Sequence, residues 1–247
     1  MAIKNVALKT KSPDAPARGG NDGGMSLYLK RIFALMFGAV AITALAAYIT
    51  MATPLWTVLI TATGFSALYY ILLFGGLALA IWAQVRAFSF KPSVGALLLA
   101  LYAVLTGVVM TPLLIAVLAI NPLSILSAFI IAAVMFACMA LFGYKTVKDL
   151  SFLGIFLFMG MIGLILVGLA SFIWPAMLGG TFGTIVCFIG VLVFALFTAY
   201  DMQNLKRAYA VVGGDTQKNQ LAVLGALHLY ISFIAMFQYL LNLFNRN

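Results

Sequence analysis

Asp201 is the one acid of this chain expected inside the bilayer region. Asp14, Asp22, Asp149 and Asp215 fall in polar segments, and there is no glutamate. His228 is the only histidine. An acid at membrane depth is costly and ordinarily faces a cavity, a partner or an ion path. Imidazole titrates near pH 6.5 (about neutral), which suits pH sensing; the plainer alternative is a packed histidine bonded to a neighbouring helix. For Asp201 the plainer alternative is an interfacial acid paired with Lys206 or another base. His228 and Ser232 are four apart and share a helical face, which Tyr239 and Asn242 extend through Ala235, with Gln238 beside it. These residue types suit a gate, ion or proton role for Asp201 and pH sensing by His228. They do not suit covalent catalysis, and the chain is expected not to be an enzyme. Gly64-Phe65-Ser66 loosely mimics a nucleophile motif, but nothing obvious supplies an oxyanion hole. One histidine builds no metal site, since no cysteine or glutamate stands at ligand spacing. No metal or cofactor is expected, and the absence of lysine between Asn219 and Asn245 excludes a retinal Schiff base there. Cys138 and Cys187 fall inside apolar runs and read as packing residues.

The elements that must position these residues are set by solvent. The 247-residue chain is 65% hydrophobic and 8% charged, whereas a water-soluble domain carries about a quarter charged residues. Ile32–Val85, Pro92–Tyr144 and Leu150–Tyr200 contain no charged residue, and are 54, 53 and 51 residues long by count. A bilayer core about 30 Å thick takes roughly 20 helical residues to cross, so each run holds two crossings and a turn. Thr53-Pro54, Asn121-Pro122 and Trp174-Pro175 through Gly179-Gly180 mark those turns. Asn219–Asn245 fits one more crossing. Backbone groups in lipid must be satisfied internally, so the crossings are helical. The expected architecture is an all-α integral membrane bundle of seven spans, near 31–52, 57–83, 94–118, 123–143, 151–173, 182–209 and 220–244. Residues 1–25 read as a flexible tail and 26–247 as one membrane domain. Asp149 is placed to cap the fifth span. The sixth helix is expected to continue past Tyr200 to about Ala210, with Lys206 and Arg207 at the interface. Small residues at Ala34 and Gly38, and at Gly160 and Gly163, are read as close-contact points. The polar stripe on the last span predicts that the other six helices enclose it.

The net charge of +9 is distributed on one side. Lysines and arginines precede the first span. Arg86 and Lys91, Lys145 and Lys148, and Lys206, Arg207 and Lys218 fall between the runs. If the N-terminus is cytoplasmic, all of these are cytoplasmic and only Arg246 lies outside, a strong positive-inside pattern. Arg86, Lys206 and Arg207 are therefore interface and topology charges that meet the lipid bilayer; no nucleic-acid partner is expected.

Thr198-Ala199-Tyr200-Asp201-Met202-Gln203-Asn204-Leu205-Lys206 closely resembles the sixth-span signature of the Bax inhibitor-1 family. Leu224-Gly225-Ala226-Leu227-His228-Leu229-Tyr230 resembles the seventh. Tyr102 to Gly107 and Phe142 to Ser151 resemble the third-span and fourth-to-fifth-span segments. The likeness runs from Leu27 to Phe244, closest to the bacterial branch. It implies seven helices with the last one central, a plasma-membrane (inner-membrane) location, and a pH-sensitive calcium leak in some members. In others it implies a role in cell-death or stress control, or modulation of a membrane-anchored ATP-dependent protease. In leak-competent members an acid in the sixth span pairs with an acid in the seventh. Asp201 matches the first; Ser232 stands where the second would be, and Ala235 where an Asn would be.

A two-carboxylate gate therefore cannot operate here unchanged. Calcium prefers several oxygen ligands, usually including carboxylates, and a serine hydroxyl is a weak substitute. His228, one turn before Ser232, is expected to compensate by bridging to Asp201 across the sixth and seventh helices. Acid keeps such a pair together by keeping the imidazole charged, until the carboxylate itself protonates; raising pH through the imidazole range weakens it. The expected function is a pH-sensitive cation leak on a narrow path between those two helices. The alternative is a non-conducting regulator that restrains a membrane-anchored protease.

Overall fold

The computed structural model describes residues 18–61 and 64–246; residues 1–17 of the expected tail lie outside the described residues. Seven helices are long and apolar enough to cross a membrane. They are α1 (Arg18–Ala52), α2 (Ala67–Val85), α3 (Pro92–Ile120), α4 (Leu123–Lys145), α5 (Ser151–Ile173), α6 (Gly180–Val211) and α7 (Asp215–Phe244).

Two boundaries differ from the sequence reading. The first helix reaches back to Arg18 despite its glycines. Tertiary contact overrides their low propensity: the Tyr28 ring lies 4.8 Å from that of Tyr209 on α6. The second span begins ten residues later than expected, counting from 57 to Ala67. Trp56–Leu59 makes a single turn, and β1 (Ile60–Thr61) pairs antiparallel with β2 (Gly64–Phe65). Gly64 takes a φ of +130°, open only to glycine at low cost. Ser66 then caps α2 by accepting from the Tyr69 N–H at 3.3 Å. The hydroxyl that mimicked a nucleophile is thus a helix cap. Uniform apolarity hid this break, because hydropathy does not separate a short strand pair from a helix.

The last helix is the core of the bundle. Of its most apolar stretch 78% is buried, against at most 39% in any other span. Ala226, Leu229, Tyr230, Met236 and Leu241 are fully enclosed. The enclosure comes from α1, α3, α4 and α6, not from all six neighbours. Helix α2 leans chiefly on α3, and α5 on α6. The uncovered face of α7 therefore looks into a cleft. Midway along the bundle the Tyr230 hydroxyl meets Thr43 Oγ1 at 2.6 Å, with Thr43 in reach of the Ala103 carbonyl at 3.1 Å. Without water to hydrate them, buried hydroxyls must find such partners.

Helices in lipid gain little from apolar burial against one another, so close backbone approach carries the packing. The approach points are not those expected. A Cβ at Gly38 or Gly163 would meet nothing, and Ala34 and Gly38 are exposed. Gly160 faces only the Val193 side chain, at 3.3 Å. The tight contacts are Gly143 of α4 on the Ala199 backbone of α6, and Gly107 of α3 on the Thr43 carbonyl of α1. Spacing alone does not say which glycine faces a helix and which faces lipid.

Candidate functional site

Helices α6 and α7 meet closely because Gly225 has no side chain. A Cβ there would come 2.6 Å from the Leu205 side chain. Asp201 precedes Leu205 by one turn and His228 follows Gly225 by nearly one, so the contact sets carboxylate against imidazole. Asp201 Oδ1 lies 3.8 Å from His228 Nδ1, with side-chain exposures of 12% and 33% respectively. The buried Ser232 hydroxyl interacts with the same carboxylate. The structure thus brings Asp201, His228 and Ser232 into one cluster.

The other face of the imidazole extends the cluster to a third helix. His228 Nε2 is 3.0 Å from Gln84 Oε1 on α2. Gln84 was missed by the sequence reading. The available signal was that it is the only amide side chain between residues 32 and 85. About two turns earlier on α7, Gln220 Nε2 donates to the Phe88 and Phe90 carbonyls of the loop after α2, at 3.1 and 2.6 Å. The end of α2 is therefore tethered to α7 at two levels.

The topology charges sit apart from this cluster. Lys206 Nζ donates to the Tyr144 carbonyl at 2.9 Å and lies over its ring. Arg207 pairs with Asp149 at 2.8 Å. Neither base pairs with Asp201, which removes the interfacial ion-pair alternative. Arg86 is exposed, and its side chain has no hydrogen bond or ion pair among the described residues. These charges, with Arg31 and Lys218, mark one face of the bundle. Arg246 is at the other, donating to the Leu178 carbonyl at 2.5 Å.

Gln203 was a second omission. It is 4% exposed; its Oε1 accepts from the Leu150 N–H at 2.9 Å and its Nε2 donates to the Lys148 carbonyl at 2.8 Å. The residues after Asp201 thus divide their work, with Gln203 and Arg207 holding the α4–α5 loop. Gln203→Leu removes both hydrogen bonds, at about 0.5–1.5 kcal/mol net each. A lowered thermal midpoint in detergent, with the loop newly open to protease, is expected; an unchanged midpoint contradicts the clamp.

Asp149 lies just ahead of α5. Its Oδ1 accepts from the Ser151 hydroxyl and N–H at 2.7 and 2.9 Å, so it serves the helix start from one position before the cap. The Ser151 hydroxyl, the Ser151 N–H and Arg207 together hold its pKa down to about 2. A depressed carboxylate contributes fully above its unfolded value of about 3.9 and loses that contribution as pH falls through the folded value. Between pH 6 and 8 Asp149 is therefore silent. Asp149→Asn is expected to leave the midpoint of any pH response in that window unmoved, as read by flux or by fluorescence.

The uncovered face of α7 looks into two adjoining cavities of about 450 and 720 Å³, bounded by α2, α3, α5 and α7. Ile231, Ala235, Gln238 and Asn242 line them from the central helix. The open space is therefore beside α7 on the α2 side. The expected path between α6 and α7 is filled by close packing, with Gly190 on the Tyr239 ring as well as Gly225 on Leu205.

These features define a multi-pass helical membrane protein with a central helix pinned by an acid–imidazole contact. A family profile described as "Inhibitor of apoptosis-promoting Bax1" matches residues 25–247, and the chain belongs to that Bax inhibitor-1 family. It is 33% identical to Inner membrane protein YbhL of Escherichia coli K12, over 90% of this chain and 92% of that protein. It is 32% identical to an uncharacterised protein of Caulobacter vibrioides, over 92% of this chain and 91% of that one. A Borreliella burgdorferi protein is 32% identical over 87% of this chain and 89% of its own length.

Proposed function

We propose that the chain is a cation leak held shut by the Asp201–His228 contact, with calcium as the candidate ion. The observation that carries this reading is the position of the cluster. The cleft ends at Ile231, less than one turn from His228, whose two ring nitrogens reach Asp201 and Gln84. One side chain thus ties α2, α6 and α7 together beside the end of the cleft. The likeness to YbhL supports an inner-membrane location. The charge asymmetry supports a cytoplasmic N-terminus, with the Arg86, Lys206 and Arg207 face inward.

The sign follows from the pair. Protonated His228 facing ionised Asp201 closes the contact, and loss of the imidazole proton as pH rises releases it. Leak should rise from pH 6 to pH 8. Among the described residues no group of three His, Cys, Asp or Glu side chains comes together. The site is thus suited to a passing ion, not a stored one. Calcium flux into dye-loaded proteoliposomes across that range tests the reading. Absence of flux at every pH removes it, and leaves the alternative of a regulator that restrains a membrane-anchored protease.

A further inference from the structure

The cleft itself has a use that the gate does not assign. It is lined mainly by apolar chains, and its two parts share Leu73, Val109, Phe172, Ala235, Gln238 and Tyr239. Its rim residues Phe74, Leu77 and Leu169 are exposed, so it opens sideways into the space the bilayer occupies. Along α7 it runs from Ile231 to Asn242, about 16 Å at 1.5 Å per residue. Half of a hydrocarbon core about 30 Å thick is nearly the same length. A groove of this size at this depth cannot stay empty, and its apolar wall does not favour water.

Polar groups interrupt that wall at Thr106, Ser171, Gln238, Tyr239 and Asn242. Gln238 lines both parts of the cleft, and the hydrogen bond it makes among the described residues is at its backbone carbonyl, from Asn242 Nδ2 at 2.9 Å. Its side-chain amide has no partner among the described residues. It lies six residues before Phe244, about 9 Å along the axis from the helix end. That is the level at which a lipid's polar end gives way to its chains. An ester carbonyl there accepts from Gln238 Nε2, while the chain below it fills the apolar length.

We propose that the cleft between α2, α3, α5 and α7 holds one acyl chain of a bilayer phospholipid, with its ester carbonyl at Gln238. The lipid enters from the leaflet at the C-terminal end of α7. The site does not depend on conduction, although a chain lodged there fills space that a conducting path would need.

The test uses the full chain in vesicles of phosphatidylethanolamine and phosphatidylglycerol with a trace of phosphatidylethanolamine bearing a mid-chain diazirine. Photolabel is expected to concentrate on peptides containing Leu73, Val109 and Ala235, above the level at Phe156, a residue on the exposed lipid face. Ala235→Trp fills the cleft and should lower label there about tenfold, equivalent to about 1.4 kcal/mol, with Phe156 labelling unchanged. Gln238→Leu keeps the apolar wall and should lower retention of the lipid through detergent washing. It also serves if the tryptophan variant does not fold. Label no denser at Ala235 than at Phe156, or lipid retention untouched by Gln238→Leu, overturns the proposal in favour of ordinary boundary lipid.

Discussion

Gly143→Leu is expected to yield no monodisperse protein after extraction. A side chain at Gly143 has nowhere to go, because its Cβ would overlap the carbonyl and Cα of Ala199 on α6. Backbone cannot swing aside as the end of a flexible side chain can. Relief requires α4 and α6 to part, and α6 carries Asp201, Gln203 and Lys206 into their contacts. Overpacking a close-packed interior costs about 1–3 kcal/mol and sometimes more; contact with backbone places this case at the upper end. The control is Gly163→Ala, where an added Cβ meets nothing and Ala is favoured over Gly by about 1 kcal/mol in a helix. Size-exclusion profiles and thermal midpoints should therefore move in opposite directions. If Gly143→Leu is recovered intact with an unchanged midpoint, the helix approach described here is wrong.

Asp201→Asn is the second large effect, on function more than on fold. Asparagine keeps the shape and a hydrogen bond to Ser232 but removes the charge that attracts protonated His228. The contact then loses its pH dependence, and leak at pH 6 rises to the level that the native chain reaches at pH 8. Coupling between two such elements is worth about 1–3 kcal/mol, or 5–150-fold. A native rise of that order between pH 6 and 8 should fall to less than about twofold in the variant. Ser232→Asp restores the second acid of the family pattern; two neighbouring carboxylates share a proton, so the contact should stay shut below the pH at which Asp201 alone would protonate. Calcium flux in vesicles reads all three chains. A steep profile preserved in Asp201→Asn would show that some other group responds to pH.

The parts of this structure that lipid dictates were legible from residue types. Charge-free runs interrupted by prolines give the seven crossings, because the bilayer leaves a backbone few choices. The polar stripe from His228 to Asn242 correctly marked α7 as the central helix, since a lipid-facing helix would not carry it. The pairing of Asp201 with His228 and Ser232 followed from the family's sixth- and seventh-span pattern, with His228 one turn before Ser232 on the same face. What failed was local or rotational. The strand pair before Ser66 looks like helix to any measure of apolarity. Gly38 and Gly143 are the same residue in similar runs, and only the orientation of each helix shows which one meets backbone. Gln84, Gln203 and Gln220 were passed over because an amide without charge stands out little. Each turns out to fasten a loop or a helix end. The position of the open space could not be read at all, because it depends on which neighbours α7 lacks.

The contact between Asp201 and His228 as the pH-sensitive closure is tested most directly by a cycle of four proteins. Flux against pH is measured for the native chain, Asp201→Asn, His228→Gln and the double variant under one ionic condition. A shared contact is lost once, so the double variant should match either single variant, with all three flat between pH 6 and 8 while the native profile climbs. If the two changes instead add, or if His228→Gln keeps the native climb, the two residues act separately and the closure lies elsewhere.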